Sequence, residues 1–226
     1  MQEYFEYLQQ YGPRFVDGTL VTIQQTVIAG ILAIAISIVL GLMKLSTNKI
    51  MRWPAIAYIE FFRGTSLLVQ LYWIFYVLPL FGVTLEKFTA GFLAVGLNLG
   101  AYGAELVRGS IQSVARGQYE AALALNMSPY KRMVRIIFPQ ALLIMLPPWG
   151  NLLIELLKGT ALVSLISVTD LMFEAKQING STFLSAESFG TALIIYYLMA
   201  RLVVSPSMRS FEKFWARKMG RFDTHV

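Results

Sequence analysis

The feature that most constrains this chain is an uncharged stretch from Gly18 to Met43. A helix that crosses the hydrocarbon of a bilayer needs roughly 20 consecutive apolar residues, so this stretch is long enough to span. A mean hydropathy of +0.59 and a charged fraction of 14% also place the chain outside ordinary soluble domains. Five polar residues near the start of the stretch should face protein rather than lipid: Thr19, Thr22, Gln24, Gln25 and Thr26.

Four further apolar stretches have the length of a membrane span. Together with the first they predict spans at about 18–43, 55–81, 88–111, 136–158 and 188–204. The fold class is therefore an all-α integral membrane protein, with one transmembrane domain over residues 1–226. The fourth span contains Pro147, Pro148 and Gly150. Since proline removes a backbone hydrogen bond from a helix interior, we expect this span to be a broken helix.

Two shorter helices are expected outside the spans. Residues 1–15 carry tyrosines and a phenylalanine among polar residues, a pattern typical of a helix that lies at headgroup depth. Gly12 and Pro13 are expected to end this interfacial helix. A second short helix is expected near residues 171–177, inside the polar stretch 169–187.

The basic residues predict the orientation, because Lys and Arg accumulate in cytoplasmic loops. Of 19 such residues, twelve lie in the first and third connections and the tail: Lys44, Lys49, Arg52, Arg116, Lys131, Arg132, Arg135, Arg209, Lys213, Arg217, Lys218 and Arg221. Three lie in the start of the chain and the other two connections: Arg14, Lys87 and Lys176. The N-terminus is thus predicted outside and the C-terminus in the cytoplasm. The net charge of +6 is a topology signal, so nucleic acid is not needed to explain it.

Several classes of chemistry lack the residues they need. Cysteine is absent, and the single histidine is His225 in the second-last position, so a metal site and a nucleophile–base pair are not expected. No G-x-x-x-x-G-K-[ST] sequence occurs, and that loop is the usual cradle for nucleotide phosphates. We therefore expect neither an enzyme nor a bound cofactor. If ATP drives this protein, a partner binds the ATP.

The stretch GQYEAALALNMSPYKRMVRIIFP, residues 117–139, lies between two long apolar runs. Strong helix formers follow Glu120, and Asn126 tolerates the left-handed conformation that ends helices. Ser128 followed by Pro129 predicts the start of another helix. A helix of this length gains little by itself, so it suits docking to another protein. An ordinary connecting loop with one helical turn is the alternative.

This stretch resembles the EAA loop of ABC-transporter permeases, in which a cytoplasmic helix docks into a groove of the ATPase subunit. Glu120, Ala121 and Ala122 match the start of the motif, and Ile137-Phe138-Pro139 matches its end. Asn126 stands where the family has glycine, but we expect the turn to survive. The resemblance assigns ATPase coupling to a helix at about 117–127, with these residues: Gly117, Glu120, Ala121, Ala122, Leu125 and Asn126.

The wider stretch RGSIQSVARGQYEAALALNMSPYKRMVRIIFPQA resembles permease subunits of polar amino-acid importers of the type I ABC class, the His/Glu/Gln/Arg uptake family. The resemblance implies a bacterial inner-membrane subunit and a cytosolic ATPase dimer that holds ATP and Mg²⁺. It also implies a second permease subunit, identical or paralogous, and an extracytoplasmic solute-binding protein.

The second span contains ionisable residues, which are costly in a membrane and often functional. Arg63 follows Glu60 by three residues, a spacing that also permits a structural ion pair. Alternatively, Arg63 binds an anionic group of the substrate, with Thr65 and Gln70 supplying hydrogen bonds. The segment resembles the family motif FRGTPLLVQL, but Ser66 replaces its proline, which leaves the local kink open.

The third and fourth spans contribute the remaining candidate residues. Asn98, Tyr102 and Glu105 lie on one helix stripe and, by the resemblance, line a substrate cavity. The alternative is a structural role, with Glu105 paired to Arg108. Thr160 and Ser164 are one turn apart and are further candidates, although such hydroxyls also bond to their own helix. Gly159 and Ala161 stand where relatives have Asp and Ser, which disfavours a cationic cargo.

The leading hypothesis is the transmembrane subunit of an ATP-driven importer of a polar or zwitterionic amino acid. Arg63 suits the substrate carboxylate and Glu105 suits an amino or amidine group. A compatible solute such as ectoine, which also carries both charges, is the alternative cargo. An ATP-independent channel or membrane scaffold is the alternative of another class, but it gives the helix near Glu120 no purpose.

Overall fold

A computed structural model describes residues 2–218, and within this range every regular element is a helix. His225 and Arg221 lie outside the described residues. The helices are α1 Gln2–Leu45, α2 Lys49–Gly64, α3 Leu67–Tyr72, α4 Lys87–Gln112, α5 Arg116–Ala124, α6 Pro129–Arg132, α7 Phe138–Thr160, α8 Leu171–Thr182, α9 Ser185–Leu198 and α10 Ser205–Lys218. The expected all-α fold class is confirmed.

Helices α6 and α7 are joined by a π-helical segment, Met133–Ile137, and α9 and α10 by another, Met199–Val204. Each pair therefore forms one long helical rod. Within residues 2–218, four helical units are long and apolar enough to cross a membrane: Tyr4–Leu45, Lys87–Gln112, Pro129–Ile166 and Ser185–Lys218. The helix α2 and the segment Leu67–Phe81 form a bent pair, which brings the number to five if the pair is one span. Each of the five residue ranges expected to span overlaps one of these units, and their passage through a membrane stays a prediction.

The core lies where α1 packs along α4, with α7 behind them. Ala29 and Ala33 of α1 and Ala94 and Leu99 of α4 are buried in one cluster. Small residues let the two backbones approach closely, as is common between membrane helices. At Gly103, an added Cβ would lie 2.1 Å from the Ser37 Oγ. Close packing of α1 and α4 thus fixes the part of α4 that carries the candidate site.

Some of the polar residues at the start of the first span are buried in the protein, and others are exposed at its surface. Thr22 and Gln25 are fully buried, as expected, and the Gln25 Nε2 donates to the Phe88 carbonyl at 2.9 Å. Gln24 is exposed, so the expectation for this residue was wrong. The helix periodicity explains the difference, since Gln24 and Gln25 point about 100° apart.

The N-terminal helix does not end at Gly12 and Pro13, as was predicted, because α1 continues through both into the first span. Proline costs the helix a hydrogen bond, but its φ is compatible with helical backbone. Tyr7 of this region is buried, and its hydroxyl donates to Ser188 Oγ at 3.0 Å. Contacts with α8 and α9 therefore hold the first turns of α1.

The expected break in the fourth span was wrong, because α7 is a continuous helix with Pro147 and Pro148 inside it. The break lies instead in the second span. There α2 ends at Gly64, α3 begins at Leu67, and the two helices are bent by 105°.

Candidate functional site

The site is built around the break between α2 and α3. Thr65 and Ser66 have extended backbones, with ψ of 155° and 133°, so the helical hydrogen-bond ladder is interrupted here. The family motif has proline at the Ser66 position, yet the kink is present without it. Thr65 Oγ1 donates to the Phe61 carbonyl at 2.8 Å, which satisfies one of the carbonyls that the break leaves unpaired.

Gln70 and Asn98 stabilise the break from two directions. The Gln70 Nε2 donates to Thr65 Oγ1 at 2.6 Å and to the Phe62 carbonyl at 3.0 Å. The Asn98 Nδ2 donates to the same Phe62 carbonyl and to the Gln70 Oε1, both at 3.0 Å. Both amides are buried. Non-helical backbone at membrane depth is tolerated only where such partners or a cavity satisfy it.

Arg63 lies at the exposed edge of this network. Its guanidinium carbon is 5.4 Å from the centre of the Tyr102 ring, within cation–π range. The Tyr102 hydroxyl also donates a long hydrogen bond, 3.5 Å, to the Arg63 carbonyl. Among the described residues no salt bridge joins Arg63 to Glu60. The N–H groups of the Arg63 guanidinium can therefore donate hydrogen bonds to an anionic group.

An open cavity of about 440 Å³ adjoins the break. Thr65, Gln70 and Trp73 line it, with further apolar residues of α2, α3 and α4. A mostly apolar concave surface with a few polar groups is typical of a small-molecule site. Of the predicted site residues, Thr65 and Gln70 line this cavity and Asn98 binds Gln70. Arg63 and Tyr102 contact each other at the end of α2, outside the cavity lining.

Glu105 lies one turn beyond Tyr102 on α4 and is not part of this network. Its carboxylate forms salt bridges with Lys44 of α1 and with Arg108, the latter at 2.8 Å. The Arg108 Nη1 also donates to Gln112 Oε1. Glu105 therefore joins α1 to α4, which agrees with the structural alternative for the Glu105–Arg108 pair.

Thr160 and Ser164 lie apart from the break. Thr160 Oγ1 donates to the Leu157 carbonyl at 2.7 Å, and Ser164 Oγ donates to the Ala161 carbonyl at 2.8 Å. Both residues are buried, so their hydroxyls bond to their own helical segment. Gly159 is the residue of this region that faces α3, with an added Cβ 3.3 Å from the Leu67 side chain.

The predicted docking helix is α5, and its end has the expected geometry. Asn126 has a φ of 51°. The Met127 amide donates to the Ala122 carbonyl at 3.1 Å, and the Asn126 amide donates to the Leu123 carbonyl at 2.8 Å, the two bonds of a Schellman cap. Ser128 then caps the next helix through the Lys131 amide. The left-handed turn and the cap are both confirmed.

One face of α5 is anchored and the rest is open. Ala122 is buried, and the Tyr119 hydroxyl donates to the Ile111 carbonyl at 3.3 Å. In contrast, Leu125 is 76% exposed and Leu123 is 59% exposed. Glu120 is exposed and pairs with Arg116 at 3.2 Å. An exposed apolar edge beside a charged pair is the composition of a protein docking surface.

A buried polar cluster around Asp170 was not predicted from the sequence. Asp170 is fully buried and caps α8, because its Oδ1 accepts from the Phe173 amide at 2.9 Å. The Tyr196 hydroxyl donates to its Oδ2 at 3.3 Å, and the adjacent Leu171 amide donates to Thr22 Oγ1. Burial raises the pKa of Asp170 to about 7. An aspartate directly before an expected helix was the available signal.

Together the fold and the site define a helical membrane protein with a mostly apolar cavity beside a broken span and an exposed short helix, α5. The chain belongs to the family of binding-protein-dependent transport system inner membrane components, whose profile matches residues 23–217.

Relatives and a solved structure resemble the chain over most of its length. It is 43% identical to a probable amino-acid ABC transporter permease, y4tF, of Sinorhizobium fredii, over 96% of this chain and 92% of the relative. It is 37% identical to the L-cystine permease TcyB of Bacillus subtilis, over 83% of this chain and 78% of the relative. A crystal structure of an amino acid ABC transporter with histidines matches with a TM-score of 0.85 at 38% identity, over 92% of this chain and 97% of that one.

Proposed function

We propose that this chain is the transmembrane subunit of an ATP-driven importer that moves a polar or zwitterionic amino acid into the cytoplasm. The observation that carries the proposal is the break in the second span, where Gln70 and Asn98 bind the interrupted backbone and the exposed Arg63 guanidinium lies over the Tyr102 ring. Relatives named as amino-acid and cystine permeases support the substrate class.

In this proposal Arg63 binds the substrate carboxylate, since a guanidinium matches a carboxylate in both charge and geometry. Tyr102 holds the guanidinium from one side and leaves its other side open. Glu105 receives the substrate ammonium in a state in which Lys44 or Arg108 releases its carboxylate. Thr160 and Ser164 line the path of the substrate only if the helical segment that carries them rotates during transport.

The energy comes from partner subunits. A cytosolic ATPase dimer that holds ATP and Mg²⁺ docks on α5, through Glu120 and the exposed edge at Leu123 and Leu125. A second permease, identical or paralogous, completes the cleft, and an extracytoplasmic binding protein delivers the substrate. The N-terminus lies outside and the C-terminus lies in the cytoplasm, as the distribution of basic residues favours.

Replacement of Arg63 tests the substrate assignment. The complete transporter is reconstituted in vesicles, and uptake of labelled amino acids and of ectoine is measured for wild type, Arg63→Gln and Arg63→Lys. Loss of a charge-assisted hydrogen bond costs about 1.5–3 kcal/mol, so we expect Arg63→Gln to raise the KM for the transported substrate roughly tenfold or more. Arg63→Lys keeps the charge and should raise the KM less.

Two results would contradict the assignment. An unchanged KM in Arg63→Gln would remove this residue from the site. Uptake of ectoine but of no amino acid would replace the proposed substrate class by the compatible-solute alternative.

A further inference from the structure

The last helix continues well beyond the expected fifth span. The rod from Ser185 to Lys218 contains 34 residues, which is roughly 50 Å at 1.5 Å per residue. The hydrocarbon core is about 30 Å thick, so the rod exceeds it by several turns. Since the expected span begins near Ser188, the excess is α10, Ser205–Lys218.

Basic residues form a stripe on α10. Arg209, Lys213 and Arg217 follow one another at intervals of four residues, and all three are exposed, as is Lys218. The only acidic residue of this helix is Glu212. Within the described residues, no salt bridge involves the basic side chains of α10. Their charge therefore points outwards without an internal partner.

Aromatic residues form a second stripe, on the side of α10 away from Arg209 and Lys213. Phe211 is 47% exposed and Phe214 is 58% exposed. Trp215 contacts both rings edge-on, with ring centres 6.3 and 6.2 Å apart. The Lys218 Nζ lies 5.2 Å from the centre of the Trp215 ring. A basic face and an aromatic face on the same helix are typical of helices at the membrane surface.

The direction of α10 also favours contact with the bilayer. In an α-helix every Cα–Cβ bond tilts towards the N-terminal end, and the N-terminal end of α10 joins the membrane span. Long Lys and Arg side chains can therefore extend back to the headgroups while their stems cover apolar surface. Bilayers accept aromatic rings at headgroup depth, so the exposed Phe211 and Phe214 are compatible with this contact.

We propose that α10 binds the headgroups of anionic phospholipids in the cytoplasmic leaflet. The placement in that leaflet rests on the orientation given under Proposed function. Lys and Arg near a membrane surface are attracted to its anionic headgroups, and the stripe presents several together. An ATPase contact is the competing occupant, but continuity with the span and the exposed aromatic face favour lipid.

Mass spectrometry of the intact permease, released from detergent with bound lipid, tests the proposal. Phosphatidylglycerol and phosphatidylcholine of equal chain length are titrated separately. Wild type is compared with a triple variant, Lys213→Gln, Arg217→Gln and Lys218→Gln. A matched control, Lys49→Gln, Arg52→Gln and Lys131→Gln, removes the same charge from exposed cytoplasmic positions. We expect the first triple variant to lose phosphatidylglycerol affinity at least tenfold, and the control to lose less than twofold.

Other outcomes would overturn the proposal. Equal loss in both triple variants would mean that net charge, rather than α10, attracts the lipid. Unchanged lipid affinity together with loss of the co-purified ATPase would assign α10 to that protein contact.

The orientation is tested separately. Because the chain has no cysteine, a single Ser210→Cys variant reports its side through a membrane-impermeant maleimide on intact cells. Labelling from outside would overturn the orientation and the cytoplasmic leaflet, whatever the lipid titration gives. Protection of Ser210→Cys without any preference for phosphatidylglycerol would overturn the lipid proposal alone.

Discussion

The carboxylate of Asp170 lies between α1, α8 and α9. One oxygen caps α8 through the Phe173 amide, and the other accepts from the Tyr196 hydroxyl. The neighbouring Leu171 amide is bound by Thr22 of α1. A single fully buried acid thus fixes how the polar segment after the fourth span meets two membrane helices.

Burial raises the pKa of Asp170 to about 7, against an ordinary value near 3.9 in an unfolded chain. A raised pKa means that the native state holds the proton more tightly. Stability from this group is therefore complete below about pH 4 and is lost as the pH rises to about 7 and beyond. We expect the thermal midpoint of the purified protein to fall between pH 5 and pH 8.

The variant Asp170→Asn cannot ionise, although it keeps an acceptor for the Phe173 amide. Between pH 5 and pH 8, the thermal midpoint of this variant should fall by roughly 5 °C less than the thermal midpoint of wild type. Glu187→Gln, a half-buried acid of the same region, is the control and should keep the wild-type slope. Equal slopes in wild type and Asp170→Asn would contradict the account.

At the scale of elements, the contact of α1 with α4 depends on small residues. An added Cβ at Gly103 would lie 2.1 Å from Ser37 Oγ and 2.7 Å from the Trp149 ring, whereas an added Cβ at Gly109 would meet nothing within 4 Å. The two glycines are on the same helix. Replacing either glycine by alanine therefore changes the helix propensity equally, but only the replacement at Gly103 disturbs the packing.

We expect Gly103→Ala to destabilise the protein by roughly 1–3 kcal/mol, the usual cost of overpacking. Gly109→Ala should be neutral or stabilising by up to about 1 kcal/mol, because alanine favours the helix. The fraction of folded protein after detergent extraction and heating measures both. Equal behaviour of the two variants would show that the close approach at Gly103 is not required.

The elements also show what sequence could and could not predict. The apolar runs predicted the helices, and Asn126 predicted the left-handed end of α5, because those signals are local. The break in the second span depends on Asn98, which is 36 residues from the Phe62 carbonyl that it binds. Pro147 and Pro148 stay inside a helix because the face carrying Met145 and Trp149 is packed. Contacts between distant helices decided both cases.

The candidate site, like the fold, was predicted from the sequence only in part. Spacing along α4 placed Asn98, Tyr102 and Glu105 on one stripe, and the first two do meet the residues of the break. Glu105 pairs instead with Lys44, which is 61 residues away. A stripe on one helix does not specify which neighbour each of its members meets.

At the scale of the whole molecule, the account requires that ATP acts through α5. Glu120 and the edge at Leu123 and Leu125 are exposed because nothing in the described chain covers them. Glu120→Lys reverses the charge of this surface without altering a buried contact. Glu86→Lys makes the same change at an exposed position in the connection between α3 and α4, on the predicted outer side, and is the matched control.

The most direct measurement is affinity purification of the tagged chain in mild detergent, with mass spectrometry of the proteins that remain bound. We expect a cytosolic ATPase in near-equal amount with wild type and with Glu86→Lys, and at least a fivefold reduction with Glu120→Lys. A second permease chain in the same sample would indicate a heterodimer. If this chain were recovered alone and still conducted solute in vesicles without ATP, the importer account would be contradicted and the channel alternative would replace it.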